Sequence, residues 1–328
     1  MKEPFYRQTL SFGWRFAWKH KFLWIYGLFA AALGQMGAFD ILSKVTGAVM
    51  RTAGGVRPFS PLWHSGWAGR GALWGGLWSV GPMWVWLLWM MVVCLGFLAL
   101  FTVVAVVSQG ALIHAAAQAK NGRAIAMDSR EWHAGVSHFW RLFFLQAAKK
   151  FIIMALAAIV GWSAYAAIAL ATPASLLLFL LLFLVAMAVG LFLSFFVIYA
   201  AGYIVVEEYD LGEALAAAWR LTASHWLVSL EIGMIFFVLN ILLALAAVVG
   251  IVLLLVPAAL LWFVAILLGN QVLFGAVVGL LGLSFVAVVM WMGSVFTVFS
   301  TSVWTHAFMQ MHRYGLKSRV VHWLSHRN

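Results

Sequence analysis

The chain has 328 residues, of which 66% are hydrophobic and only 9% charged, with a formal net charge of +11. A soluble domain carries roughly 25% charged residues, so this composition excludes a water-soluble globular protein and makes lipid the solvent for much of the chain. The basic residues lie between or beside apolar runs, where membrane topology and anionic headgroups account for them. No soluble basic module is long enough to dock a nucleic acid groove.

Residues 4–20 read as a surface helix. Pro4 suits a first helical position, Arg7, Ser11, Arg15 and Lys19 form a basic stripe, and Leu10, Trp14, Ala17 and Trp18 form the opposite, apolar face. That division describes a helix lying in a membrane interface, or one packed on the protein's own cytoplasmic surface. Phe22 to Phe39 is free of charge and gives an uncleaved first span, closed by Asp40. Residues 41–81 follow on the far side. Their four tryptophans, Trp63, Trp67, Trp74 and Trp78, fit an interfacial anchor, with an aromatic ligand cage as the sharper alternative.

Pro82 opens span 2, an apolar run of some 38 residues to about Ala119. As helix it measures roughly 57 Å against a hydrocarbon core of about 30 Å, so it must tilt, bend or protrude. Asp128 and Glu131 have capping-box spacing and start a second amphipathic helix running to about Trp140. Span 3 covers 143–171 and span 4 runs from Ser175 to Val206, joined by a short hairpin at Thr172–Pro173. Asp210 and Glu213 repeat the capping-box spacing and open a third amphipathic helix. Span 5 follows from about 227 to Val256. The stretch from Pro257 to Asn270 is either a re-entrant turn or a continuation of span 5. Span 6 runs from near Leu273 to about Met311, ahead of a basic tail. Its Gly275, Gly279 and Gly282 suit close helix packing. The single cysteine, Cys94, lies in an apolar run and reads as a small hydrophobe.

Lysine and arginine number five in the N-terminal segment, six around 120–150, one in 207–226 and four in the tail, against four in 41–81. The positive-inside rule then puts both termini in the cytoplasm.

Three pairs share one spacing: Trp14 and His20, Trp132 and His138, Trp219 and His225. Each ends an amphipathic helix just ahead of a long apolar run. The second and sixth spans also end alike, with His114 and Gln118 matching His306 and Gln310. The fold expected is an all-α polytopic membrane bundle of about six spans with three interfacial helices. It forms a single domain in a pseudo-three-fold repeat with units 1–120, 121–208 and 209–328.

The recurrent histidines read first as structural, satisfying backbone carbonyls where surface helix meets span, with proton or metal chemistry as the alternative. His114, Gln118, His306 and Gln310 make a polar cluster if their span ends meet. Interhelical hydrogen bonding is its plain use and a headgroup or metal site the sharper one. Glu231 lies about one and a half turns into span 5, without a counterpart: Tyr26 and Phe144 occupy the matching places. An intramembrane carboxylate is a functional candidate, and pairing with Lys149, Lys150 or Arg220 is the structural reading. No zinc-protease, nucleophile-elbow, P-loop or dinucleotide motif occurs, so no catalytic, cofactor or metal residue is assigned.

The stretches GALIHAAAQAKNGR (110–123) and EALAAAWRLTASHW (213–226), with the six-span layout, resemble a large group of bacterial multi-pass proteins. That group is similar to the membrane domain that accompanies some glycerophosphodiester phosphodiesterases. The resemblance implies a fold and a location, the cytoplasmic (inner) membrane of a bacterium. It implies no hydrolase activity, because the soluble barrel and its acidic metal site have no counterpart here. Three functions follow in order of preference. The first is a non-enzymatic scaffold or partner subunit that binds anionic lipid and pairs with another protein or with itself. The second is a transporter or pore with a polar site near Glu231, and the third an intramembrane lipid-modifying enzyme.

Overall fold

The computed structural model describes residues 5–31, 83–122, 130–268 and 271–314, and every regular element among them is helical. The expected Trp-rich stretch 41–81, the later part of span 1, Asp128 and most of the basic tail lie outside the described residues. Nine helices occur within them: α1 (Phe5–Lys19), α2 (Leu23–Ala31), α3 (Met83–Lys120), α4 (Arg130–Ser137), α5 (Phe139–Leu170), α6 (Pro173–Val206), α7 (Leu211–Ser224), α8 (Trp226–Leu267) and α9 (Gln271–Tyr314).

Five of these, α3, α5, α6, α8 and α9, contain segments long and apolar enough to cross a bilayer. Helix is the only open conformation that satisfies every backbone group in lipid, so apolar runs of this length have no other choice. The same argument decides the stretch after Pro257. The proline sits inside α8, which continues to Leu267. Breaking the helix in lipid would strand several backbone groups at a few kcal/mol each, more than the roughly 3 kcal/mol a helical proline costs.

The connections are short and chemically explicit. Ala171 takes a left-handed conformation (φ 49°), and Thr172 caps α6 by accepting from the Ser175 N–H at 3.3 Å, with Pro173 in the first turn. At the other end of α6, Glu208 is left-handed (φ 58°) and the Tyr209 N–H folds back onto the Tyr203 carbonyl at 3.2 Å. Two local expectations are corrected here. The second surface helix stops at Ser137, and Trp140 already belongs to the long helix α5. Asp210 stands at the N-cap of α7 without a capping hydrogen bond. Its carboxylate is taken by the Arg141 guanidinium at 2.8 Å.

The long helices pair as hairpins α5–α6 and α8–α9, α2 packs on both α3 and α9, and α3, α6 and α9 touch one another. Each short helix lies on one of those three: α1 on α9, α4 on α3 and α7 on α6. The core is confined to this end of the bundle. Residues 105–117 of α3, 193–205 of α6 and 296–311 of α9 are largely buried. Toward the opposite end the same helices present Leu87, Leu177 and Leu280 to the outside, and Ile168 of α5 is 81% exposed. That apolar surface suits only hydrocarbon, and the chain is a membrane protein whose regular elements are all helical among the described residues.

Candidate functional site

The packed end is built on small residues. Gly135 of α4 is seated against the backbone carbonyl of Val107, and Gly13 of α1 against the Val303 side chain. A Cβ at either position would collide. Ala218 of α7 is fully buried in the same way against α6. Backbones this close leave no room for lipid between the short helices and the long ones beneath. The outer faces carry the tryptophans: Trp14 and Trp219 are each 58% exposed, while Trp132 is half-buried. Trp14 meets Phe299 edge-on (6.2 Å between centroids) and Trp219 meets Phe192 and Phe196 the same way (5.4 and 6.4 Å). Trp132 stacks on Tyr26 at 6.2 Å.

The three histidines paired with these tryptophans differ. His138 is buried, with Nδ1 2.8 Å from the Ala134 carbonyl and 3.0 Å from Ser137 Oγ. His225 repeats the serine contact, Ser224 Oγ lying 2.7 Å from its Nδ1, while its own carbonyl accepts from Ser229. A serine directly before the histidine, Ser137 and Ser224, is the sequence signal for this pair. In the first copy Lys19 stands there. His20 instead lies between the rings of Phe16 and Phe22, and partial burial, with Lys19 adding to it, holds its proton affinity below the ordinary imidazole value.

The span-end cluster expected from His114, Gln118, His306 and Gln310 is brought together in part. α3 and α9 do meet, through Lys120 Nζ, 2.8 Å from His306 Nε2. The lysine can only donate, so Nε2 accepts. The proton is then on Nδ1, which faces Thr9 Oγ1 of α1 at 3.2 Å. One buried imidazole therefore ties three helices, with Phe12 against its face at 4.8 Å. His114 and Gln118 contact each other along α3 at 3.3 Å, and Gln310 is half-buried on α9. Tyr203 closes the same end from α6. Its hydroxyl lies 3.2 Å from His312 Nδ1, and the His312 Nε2 is 3.9 Å from Glu207.

Deeper in the packed end, Gln146 of α5 donates to Gln109 of α3 at 2.9 Å, both buried, and Tyr199 of α6 meets Ser229 of α8 at 2.6 Å. Gln109 also borders a small cavity among α3, α6 and α9, walled by Ile113, Ile198, Trp304 and Phe308, with space of about 20 Å³. That is room for about one water. Ser108 and Ser300 are buried nearby on α3 and α9, and their hydroxyls have no hydrogen-bond partner among the described residues.

Glu231, half-buried on α8, accepts a hydrogen bond from the phenol of Tyr6 on α1. This bond joins α8 to a helix some 225 residues earlier in the chain. A second buried carboxylate was read from sequence only as part of a capping box. Glu131 on α4 is 2% exposed beside Tyr26, and its Oε2 has no hydrogen-bond partner among the described residues. Among the described residues no three His, Cys, Asp or Glu side chains converge as a metal site. The arrangement binds helices together and presents aromatic and basic side chains outward. Comparison with protein-family models, with characterised proteins and with solved structures finds no match.

Proposed function

We propose that the chain is a non-enzymatic, lipid-associated scaffold or partner subunit of the bacterial cytoplasmic membrane. In this reading it has six spans, with α2 beginning the first, and both termini are cytoplasmic. Its three units each consist of a surface helix followed by a two-span hairpin, an architecture akin to the membrane domain that accompanies some glycerophosphodiester phosphodiesterases. The order of contacts supports the three-fold reading. Each short helix rests on the second long helix of the unit before it, and α1 rests on α9, the last of the third unit.

One observation carries the functional reading. The polar side chains that join helices (His306, Lys120, Gln109, Gln146, Tyr199) are engaged with protein partners, while Trp14, Trp219 and the arginines of α1 and α4 face outward. Chemistry on a substrate needs polar groups aimed at a cavity, whereas association with lipid or protein needs an aromatic and basic exterior. The test is cross-linking in native membranes, with mass spectrometry of co-purified protein and lipid. Recovery of an anionic lipid or of a second polypeptide, including another copy of this chain, is expected. A preparation that retains neither above bulk composition overturns the proposal.

A second reading, a transporter or pore, draws on the small cavity that Gln109 borders among α3, α6 and α9 and on the buried hydroxyls of Ser108 and Ser300, which have no hydrogen-bond partner among the described residues. Solute flux across proteoliposomes tests it, with Phe308→Ala, which opens the wall of the axial cavity, expected to raise the flux.

A further inference from the structure

We infer that the groove between α1 and α8 is a binding site for one anionic phospholipid, with its phosphate on Arg7 and an acyl chain along α8. This rests on the lipid-associated reading above and adds to it a place and a headgroup chemistry.

The groove is open to the side and measures about 550 Å³. Clefts that hold small ligands run from about 300 to 1,000 Å³, so the space suits a molecule rather than a few waters. α1 packs on α9 and faces α8 across this gap, with Phe299 of α9 forming the floor. The α8 wall is Ile235 and Leu239. The α1 wall is mixed, with Leu10 and Ser11 half-buried and Arg7 and Trp14 exposed. Tyr6 and Glu231 close one end by their hydrogen bond, which fixes the spacing of the two helices. From Glu231 to Leu239 is eight residues, so the groove runs roughly 12 Å along α8 into the apolar span.

Each wall has a reason to take part of a lipid. Apolar side chains gain nothing from an acyl chain that bulk lipid would not also give, so Leu10, Ile235 and Leu239 supply shape but little selectivity. Selectivity comes from the mouth. Arg7 is exposed there, and Arg15 and Lys19 share its helix. The carboxylate at that end, Glu231, already accepts from Tyr6. The three cations of α1 outnumber that one carboxylate, so a phosphate whose headgroup adds no cation meets net positive charge. Trp14, exposed at the groove edge, has the amphipathic ring that favours headgroup depth. Under the three-fold reading the corresponding gap beside α4 is filled, because Tyr26, the counterpart of Glu231, stacks on Trp132.

The experiment uses the full chain in nanodiscs of phosphatidylcholine. These are doped with phosphatidylglycerol carrying a photoactivatable diazirine on its acyl chain, or with the matching choline lipid. Labelled peptides are mapped by mass spectrometry, and bound lipid is counted by native mass spectrometry. Labelling is expected on segments 10–14 and 235–239, about fivefold stronger for the glycerol lipid, as one basic residue at a membrane surface supplies. Leu239→Trp, which fills the groove, is expected to abolish that labelling. Arg7→Gln is expected to remove the fivefold preference and Arg7→Lys to restore most of it. Should Leu239→Trp fail to fold, the Arg7 pair still decides the matter. Equal labelling by both lipids, or phosphatidylglycerol retained but mapped elsewhere, overturns the groove site and leaves the lipid-associated reading standing. No retained lipid at all overturns both.

Discussion

The two ends of the long helices are made of similar residues and behave oppositely. At one end Gln109–Gln146 ties α3 to α5, Tyr199–Ser229 ties α6 to α8 and the Lys120–His306–Thr9 chain ties α3 to α9 and α1, with α1, α4 and α7 seated on α9, α3 and α6. At the other end the polar side chains turn back on their own helices. Ser163 donates to Val160, Asn240 to Phe236 and Ser284 to Leu281, and the apolar faces look outward. Apolarity alone thus does not pack helices in lipid, because a leucine is as well solvated by acyl chains as by another leucine. What holds the packed end together is small residues that admit close approach, and polar groups that have no partner in hydrocarbon.

The glycines test that contrast most directly. Gly135→Leu forces a side chain into the Val107 carbonyl and is expected to cost about 3 kcal/mol or more, seen as loss of the monodisperse folded species in detergent. Gly161→Leu, on the outward part of α5 where a Cβ meets nothing within 4 Å, should be neutral or stabilising by up to about 1 kcal/mol. Equal damage from both would erase the distinction between the ends. His306→Ala comes next. It leaves Thr9 without its imidazole and removes the contact between Lys120 and α9, for an expected loss of about 1–3 kcal/mol in reversible unfolding.

A smaller effect is expected at the buried amide pair. Gln109→Leu and Gln146→Leu singly should each cost about 1 kcal/mol and together less than their sum, with a coupling of roughly 0.6–1.7 kcal/mol in a double-mutant cycle. Strict additivity would mean that the hydrogen bond contributes nothing. The smallest effect belongs to His20. Its folded-state affinity for a proton is lowered by burial and by Lys19, so the unfolded chain binds the proton more readily. Stability should therefore be unaffected well above the ordinary value of 6.5 and decline as pH falls below it. His20→Gln should flatten that part of the profile.

Much of this architecture was legible in the residues. The amphipathic spacing of Arg7, Arg15 and Lys19 located α1, and the capping pattern and apolar run after Asp210 located α7 and α8. Where the reading departed from the structure, a tertiary partner or the solvent decided. Asp210 looked like a capping carboxylate, but Arg141, 69 residues away in sequence, takes it. Pro257 leaves a re-entrant turn and a continuation equally open in the sequence, and the helix continues because lipid penalises broken backbone more than it penalises proline. The cluster expected from His114 and His306 depended on how span ends meet, which no local spacing encodes. The residue that joins them, Lys120, had been counted only as a topology charge. The groove beside α1 was invisible for the same reason, since its walls come from positions 6–14, 235–239 and 299.

The seating of α1 on α9 has a consequence for how the chain assembles. α4 and α7 each follow closely on the helix that receives them, so they can dock as they emerge. α1 is synthesised well over 250 residues before the part of α9 that covers Gly13. Its inward face, with Phe16 and Ala17, has no protein partner until the last hairpin is inserted. Closure is the slow, long-range step, and during it α1 is held by the membrane surface alone. A circular permutant that opens the chain before α7, and so places α1 directly after α9, would make the docking of α1 local and pass the long-range closure to α7, whose seat on α6 would then be made last.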